Sequence, residues 1–353
     1  MSRFAGEDIN GIMPYVPGEQ PRDKKYIKLN TNENPYYTSR KAVECITREA
    51  LENLRRYSDP TCKDLHEAIA RFYDVEGDNV LATNGSDEAL AFAFYAYCRK
   101  GVCFPDITYG FYGVIADLFG CPKELITLQS DFTVNVADYY NKEKTVVIAN
   151  PNAQTGIALG FNEVESIVKN NGNNIVIVDQ AYADFSDCDV VPLIKKYDNL
   201  VVVNTFSKSR SLAGARVGFV IADKALIDDL KKVKNSFHPY NVNSLSAALA
   251  AAAIHDTEYF DFTVNKVIEG RKRLTYGLKD LNYEVLPSSA NFVLAKSPVT
   301  DGYELYKKLK ENGVLVRHLS DERIKSFVRI TVGTDEEIDA LLKILREIEN
   351  EKS

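Results

Sequence analysis

The stretch Leu200-Val201-Val202-Val203-Asn204-Thr205-Phe206-Ser207-Lys208-Ser209-Arg210-Ser211-Leu212-Ala213-Gly214-Ala215-Arg216-Val217-Gly218 decides how the chain reads. It opens as an apolar, β-branched run without polar alternation, the pattern of a strand buried on both faces of a parallel sheet. It then breaks into hydroxyls, glycines and the charged side chains of Lys208, Arg210 and Arg216. Comparable runs lie at 80–83, 101–104, 145–149 and 175–179, and stretches of helical length such as 161–170 separate most of them. Short buried runs alternating with helices are βαβ units. The expected fold class is therefore α/β, with a doubly wound, mainly parallel sheet forming a large domain over 31–240. Within it the spacing also predicts helices over 40–53, 63–73 and 88–98.

On either side the pattern changes. Residues 1–30 carry Pro14, Pro17, Gly18 and Pro21 as breakers and read as an extended arm. From 241 to 353 the chain reads as a smaller α+β domain. Helices are expected there over 242–256, 257–281, 302–312 and 335–352, and strands over 283–286, 292–295, 314–318 and 327–331.

The composition sets limits. A chain of 353 residues with 45% hydrophobic and 26% charged residues is an ordinary globular one, which excludes disordered, collagen-like and coiled-coil classes. A net charge of −7 argues against a nucleic-acid coat. Four histidines leave little for a multi-histidine metal centre, so no metal is expected. The six cysteines include no C-x-x-C pair and read as free thiols in a reducing compartment, the cytoplasm. The first residues hold no apolar run of signal-peptide kind. The apolar runs 89–98 and 245–254 fall short of the ~18 residues that span a bilayer, so no membrane partner is expected and 89–97 reads as core. The basic cluster Lys231-Lys232-x-Lys234 reads as a solvated helix face.

In open α/β sheets ligands bind beyond the carboxyl ends of the strands. The run 145–149 delivers Asn150-Pro151-Asn152-Ala153-Gln154-Thr155-Gly156 to that edge, 175–179 delivers Asp179 and then Tyr182, and 200–205 delivers Ser207 and Lys208. The run 80–83 delivers Asn84-Gly85-Ser86-Asp87 at the start of an apolar helix. A desolvated lysine is a nucleophile toward carbonyls. Asp179 either caps the next turn or stays ionised to hold a ring N–H⁺, a charge-assisted bond. Gly85, Ser86 and Asp87 make both a helix cap and an anion seat, to which Ser207 and the fork of Arg216 add donors. Such a pocket suits an anionic aldehyde bearing a ring nitrogen, and pyridoxal 5′-phosphate fits that description.

At this point the chain resembles a known family. Ser207-Lys208-x3-Leu212-Ala213-Gly214-x-Arg216-x-Gly218 resembles the lysine motif of the class I/II aminotransferases of PLP fold type I, over essentially the whole chain. Met13-Pro14-Tyr15-Val16-Pro17-Gly18, Leu29-Asn30-Thr31-Asn32-Glu33-Asn34-Pro35-Tyr36, Arg56-Tyr57-x-Asp59-Pro60, Asn84-Gly85-Ser86-Asp87-Glu88 and Val328-Arg329-Ile330-Thr331 resemble the histidinol-phosphate aminotransferase branch. The resemblance implies ping-pong transamination between a phosphorylated amine and the glutamate/2-oxoglutarate pair in histidine biosynthesis. Lys208 would form the Schiff base, Asp179 pair with the ring nitrogen, Tyr182 donate to the ring oxygen and Tyr109 stack on the ring. Ser86, Asp87, Ser207 and Arg216 would hold the phosphate. Tyr57 would reach the neighbouring subunit's cofactor, which implies a homodimer, while Tyr15, Arg317 and Arg329 would meet the substrate.

The chain departs from the family where Ala153 stands at the position of an asparagine that donates to the ring oxygen. Either Asn152 takes that place or Tyr182 supplies the bond alone. A second departure, Gln180 where Glu is common, is expected to be mild. Threonine-phosphate decarboxylase and an aromatic aminotransferase share this motif set as alternatives. A nicotinamide-binding enzyme is disfavoured because no strand is followed by G-x-G-x-x-G. A cofactor-sensing transcription regulator would need a DNA-binding segment ahead of motifs that begin too early here.

Overall fold

The computed structural model describes residues 2–6, 9 and 11–350. Its central sheet has seven strands in the order Val80–Thr83, Gly218–Ala222, Leu200–Thr205, Val176–Asp179, Thr145–Ala149, Val102–Pro105 and Lys123–Ile126. The five expected strands lie within a residue of their predicted bounds. Gly218–Ala222 is antiparallel to both neighbours, so Val80–Thr83 runs in the same direction as the parallel strands and ends at the same edge.

Side chains alternate between two apolar layers. Val147, Val201 and Val203 enter one with Leu90 and Phe94 of the helix Ser86–Tyr97. Val146, Ile148, Leu200 and Val202 enter the other with Leu65 and Ile69 of Lys63–Tyr73 and Ile167 of Phe161–Lys169. A sheet covered on both faces needs strands apolar on both faces, which is why they read as unbroken runs. The run 89–97 supplies core, as expected, through Ala89, Leu90, Phe92, Ala93 and Phe94.

The expected helix 40–53 is two helices, Arg40–Glu44 and Arg48–Glu52, because Thr47 caps the second by accepting from the Ala50 N–H at 3.1 Å. Lys234 leaves the solvated face assigned to it. It is buried, and its amine donates to the carbonyls of Pro60 at 2.7 Å and Pro239 at 2.9 Å.

A second sheet, antiparallel throughout, runs Arg317–His318, Val328–Thr331, Phe292–Lys296 and Glu284–Val285. The helices Thr257–Asp280, Gly302–Glu311 and Asp335–Asn350 pack on it. The expected strand 314–318 is divided between sheets, since Val314–Leu315 pairs in parallel with Ile27–Lys28 of the arm. Ser244–His255 packs on the face of the large sheet through Ala250, Ala253 and Ile254. Positions 351 and 352 of the expected terminal helix, and 1, 7, 8 and 10 of the arm, lie outside the described residues. Among the described residues, no helix is long and apolar enough to cross a membrane, and no group of three or more His, Cys, Asp or Glu could hold a metal ion.

Ile177 is fully buried in the middle of the central sheet, paired with Val147 and Val201. Ile177→Ala should lower unfolding free energy by ~2–5 kcal/mol, measured by denaturant titration, because the rigid sheet cannot collapse into the space left.

Candidate active site

The parallel strands stop together beside a cavity of about 280 Å³. Its wall includes Tyr15, Ser86, Asp87, Tyr109, Asp179, Tyr182, Ser207, Lys208, Arg216, Arg317 and Arg329, so most of the predicted site residues meet in one place. Ser207 and Lys208 follow Leu200–Thr205 and Asp179 closes Val176–Asp179, which are neighbouring parallel strands.

The Lys208 amine donates to the Thr31 carbonyl at 3.2 Å and sits 5.7 Å from the Tyr182 ring centroid. It has no carboxylate partner among the described residues. Desolvation, helped by the nearby Arg329 cation, pulls it down to about 8. Asp179 is buried, and burial pushes its carboxyl up to about 6 against two opposing hydrogen bonds. The Tyr112 hydroxyl donates to its Oδ2 at 2.7 Å and the Ala181 N–H to its Oδ1 at 3.1 Å. Amine and carboxyl are thus both moved toward neutral pH, where one can react and the other can bind a ring N–H⁺.

Tyr182 is oriented from the far side. Its hydroxyl oxygen accepts from Asn32 Nδ2 at 3.0 Å, leaving its own proton free to donate into the cavity. Thr331 locks Asn32 in turn, accepting from its backbone N–H at 3.0 Å and donating to its Oδ1 at 3.1 Å.

One end of the cavity suits a phosphate. Gly85, at φ +84°, precedes Ser86–Tyr97, and a Cβ there would come within 2.5 Å of Arg216 Nη2. A Cβ on Gly218 would come within 2.4 Å of the Ser86 nitrogen. The two glycines therefore let the helix start and the guanidinium approach each other. Arg216 is in the left-handed region at φ +55°, an unfavourable conformation for a long side chain that aims its fork at the helix start. The Ser207 hydroxyl lies 2.9 Å from Thr205 Oγ1. Glu88 turns away, its Oε2 accepting from the Asn84 N–H at 2.7 Å. Asp87 does not turn away, for it meets Arg216 at 3.3 Å and accepts from the Tyr109 hydroxyl at 2.9 Å. Helix N–H groups, a hydroxyl and a guanidinium are the donor set a phosphate needs. With Lys208 and Asp179, the residues present fit pyridoxal 5′-phosphate.

The other end is also cationic. Arg329 donates from one nitrogen to the Ala153 carbonyl and to Gln154 Oε1, each at 2.9 Å, while its buried Nε has no partner among the described residues. Arg317 donates to the carbonyls of Val16 at 3.0 Å and Pro17 at 3.2 Å, holding the arm so that Tyr15 meets Tyr109 edge-on. Neither arginine has an ion-pair partner among the described residues, so an anion from outside would complete both.

Two predicted residues lie elsewhere. Asn152 does not line the cavity. Its Nδ2 donates to the Ile107 carbonyl at 2.9 Å and its Oδ1 accepts from the N–H groups of Gln154 and Thr155, so both ends of the amide are used in shaping the loop. Tyr57 is 84% exposed and stacks on Tyr240 at 4.7 Å, away from its own chain's cavity.

Sequence reasoning missed Tyr112, Gln154 and the roles of Thr31 and Asn32. For Tyr112 a signal existed, since it stands three residues after Tyr109, but the helix Phe111–Leu118 that carries it was not expected. A larger groove of about 890 Å³ lies beside His66 and Lys234, but the His66 ring nitrogen accepts from the Ala82 N–H and the Lys234 amine is committed to carbonyls.

The model of the aminotransferase class I and II family matches residues 24–345. The chain is 45% identical to a histidinol-phosphate aminotransferase of Brachyspira hyodysenteriae over 351 residues, covering 99% of each. It is 47% identical to histidinol-phosphate aminotransferase 1 of Bordetella parapertussis over 353 residues, again covering 99% of each. In fold it is similar to the crystal structure of the Sinorhizobium meliloti histidinol-phosphate aminotransferase in complex with pyridoxal-5′-phosphate, with TM-score 0.88, 21% identity and 99% of both chains covered.

Two outcomes follow from the geometry. In the cofactor-free protein, competitive acetylation read by peptide mass spectrometry should show Lys208 gaining reactivity up to about pH 8 and then levelling. Lys41, held above the usual lysine range by Asp256, should still be gaining there. Second, Tyr112→Phe removes a donor that favours ionised Asp179, so that carboxyl should rise further. In the holoenzyme the acid limb of the kcat–pH profile should move to higher pH, with turnover at pH 7 reduced about tenfold or more, the worth of one hydrogen bond to a charged group.

Proposed function

The chain belongs to the class I and II aminotransferases, and from that premise we propose that it transfers an amino group between L-histidinol phosphate and 2-oxoglutarate, using pyridoxal 5′-phosphate. The observation that carries this reading is the half-buried, depressed amine of Lys208 sharing one cavity with Asp179 and with two arginines that lack ion-pair partners among the described residues. The named activity of full-length relatives at 45–47% identity supports the substrate.

When bound, pyridoxal phosphate supplies an aldehyde that condenses with amines and a ring that draws electrons from the bond being broken. This chain's residues do the rest. Lys208 Nζ would take the proton from the substrate Cα and later return it, a role suited to an amine near neutral pH. Asp179 holds the ring N–H⁺, and Tyr112 helps keep that carboxyl ionised. Tyr182 donates to the ring oxygen without help from Asn152, and Tyr109 covers the ring. Gly85, the N–H groups of Ser86 and Asp87, the Ser207 hydroxyl and Arg216 hold the phosphate. Arg216 must exchange its contact with Asp87 for part of that role. Arg317, Arg329 and Tyr15 receive the substrate's phosphate or carboxylate.

We read the assembly as a homodimer, in which Tyr57 serves the neighbouring subunit's site. Its outward exposure, stacked on Tyr240, supports this. We keep the division into arm, large domain and small domain, counting the helix Ser244–His255 with the large one. The six free cysteines support a cytoplasmic setting.

Purified holoenzyme should convert L-histidinol phosphate and 2-oxoglutarate to the keto phosphate and glutamate. Lys208→Ala should lower the rate by at least ~10³-fold while keeping measurable cofactor affinity. Glutamate release and CO₂ release are followed together with both L-histidinol phosphate and threonine phosphate. CO₂ from threonine phosphate without amino exchange would identify a decarboxylase instead.

A further inference from the structure

We propose that Gln154 is a specificity-determining residue of this site, aiming Arg329 with its amide oxygen and offering its amide NH₂ to a second oxygen of the same incoming carboxylate or phosphate. The proposal rests on the transaminase reading above and goes beyond it, naming a residue for which the sequence assigns no task.

The amide orientation follows from hydrogen-bond chemistry. An arginine can only donate, so the end of Gln154 facing Arg329 Nη1 at 2.9 Å is the oxygen. The opposite end, Nε2, then has no partner among the described residues, although Gln154 lines the cavity. Its backbone is fixed by Asn152, whose Oδ1 accepts from the Gln154 N–H at 2.9 Å. Beside it Ala153 carries only a methyl group, so nothing larger at that position competes for the space between loop and cavity.

Charge explains why an amide suits this place. Arg329 has no acidic partner among the described residues, and its guanidinium also meets the Ala153 carbonyl and the face of Phe292 at 5.1 Å. A carboxylate at 154 would hold the guanidinium equally well but neutralise it. A neutral acceptor sets its direction and leaves its charge available to a ligand. Donor NH₂ and guanidinium then lie side by side, an arrangement that takes two oxygens of one oxyanion.

The test uses holoenzyme carrying Gln154→Met, which keeps the length and loses both hydrogen-bonding ends, and Gln154→Glu, which keeps the shape and adds a charge. The KM and kcat for L-histidinol phosphate and for 2-oxoglutarate are measured. So is the affinity for glutarate, a dicarboxylate with no group to transfer, read from the visible absorbance of the bound cofactor. We expect Gln154→Met to raise KM for at least one partner about tenfold, with a much smaller effect on kcat. Gln154→Glu should raise it further, by about a hundredfold. A rise for 2-oxoglutarate matched by weaker glutarate binding assigns the amide to the carboxylate. A rise for L-histidinol phosphate alone assigns it to the phosphate. Unchanged KM values and glutarate affinity, with cofactor absorbance intact, would overturn the proposal and leave the transaminase reading standing. Loss of cofactor absorbance in proportion to the KM change would also overturn it, as the sign of a disordered loop. Failure of that reading shows separately, as absence of amino exchange in the unsubstituted protein.

Discussion

Parallel register is the constraint from which the site follows. Val176, Ile177, Val178 and Asp179 stand opposite Leu200, Val201, Val202 and Val203, and the ladder continues past the strand end through the Gln180 N–H on the Val203 carbonyl at 2.7 Å. Both faces of these strands are buried, so a charged side chain is tolerated only where a strand stops. Parallel strands stop at a common edge, which is where Asp179, Ser207 and Lys208 gather. A slip of one residue would turn Asp179 to the opposite face of the sheet, away from Tyr112. The apolar ladder and the reactive edge are therefore one design, because the first dictates where the second can be.

The edge is electrostatically unfinished. Burial raises the Asp179 carboxyl and lowers the Lys208 amine, and both changes oppose the charged forms that water would favour. Arg329 is drawn down by desolvation too. Groups held this way weaken the folded state, and the fully apolar layers on both sides of the sheet offset that cost. A ligand with a cationic ring nitrogen, a phosphate and a reactive carbonyl would relieve all of these strains at once. Such a match between unfinished protein charges and one cofactor is stronger physical support for function than any single residue.

The parts legible in sequence were those with a one-dimensional signature. Strands buried on both faces read as unbroken β-branched runs, and Lys208, Asp179 and Arg216 read from their places just beyond them. Gly218–Ala222 does not read as a strand of the parallel pattern because it follows Leu200–Thr205 too closely for a crossover helix and pairs with it antiparallel. Lys123–Ile126 is an edge strand with two exposed residues, so no apolar run marks it. For Asn152 the sequence shows that an amide is present but not that the loop uses both of its ends. Tyr112, Asn32 and Gln154 act through partners 67, 150 and 175 residues away, a distance no local pattern encodes.

The arm extends the same reasoning to the mouth of the cavity. It is tied down at two points, by the parallel pairing of Ile27–Lys28 with Val314–Leu315 and by Arg317 on the carbonyls of Val16 and Pro17. The first tie is backbone and independent of ligand. The second uses a guanidinium that also faces the cavity, with five donors of which the arm takes two. An oxyanion bound by the remaining donors would fix the Arg317 plane and with it the arm carrying Tyr15. Ordering of the arm and capture of the substrate then draw on the same side chain, so each favours the other as linkage requires. The extended, proline-broken composition of residues 11–26 suits that role, because a segment without its own core takes its position from the contacts offered to it.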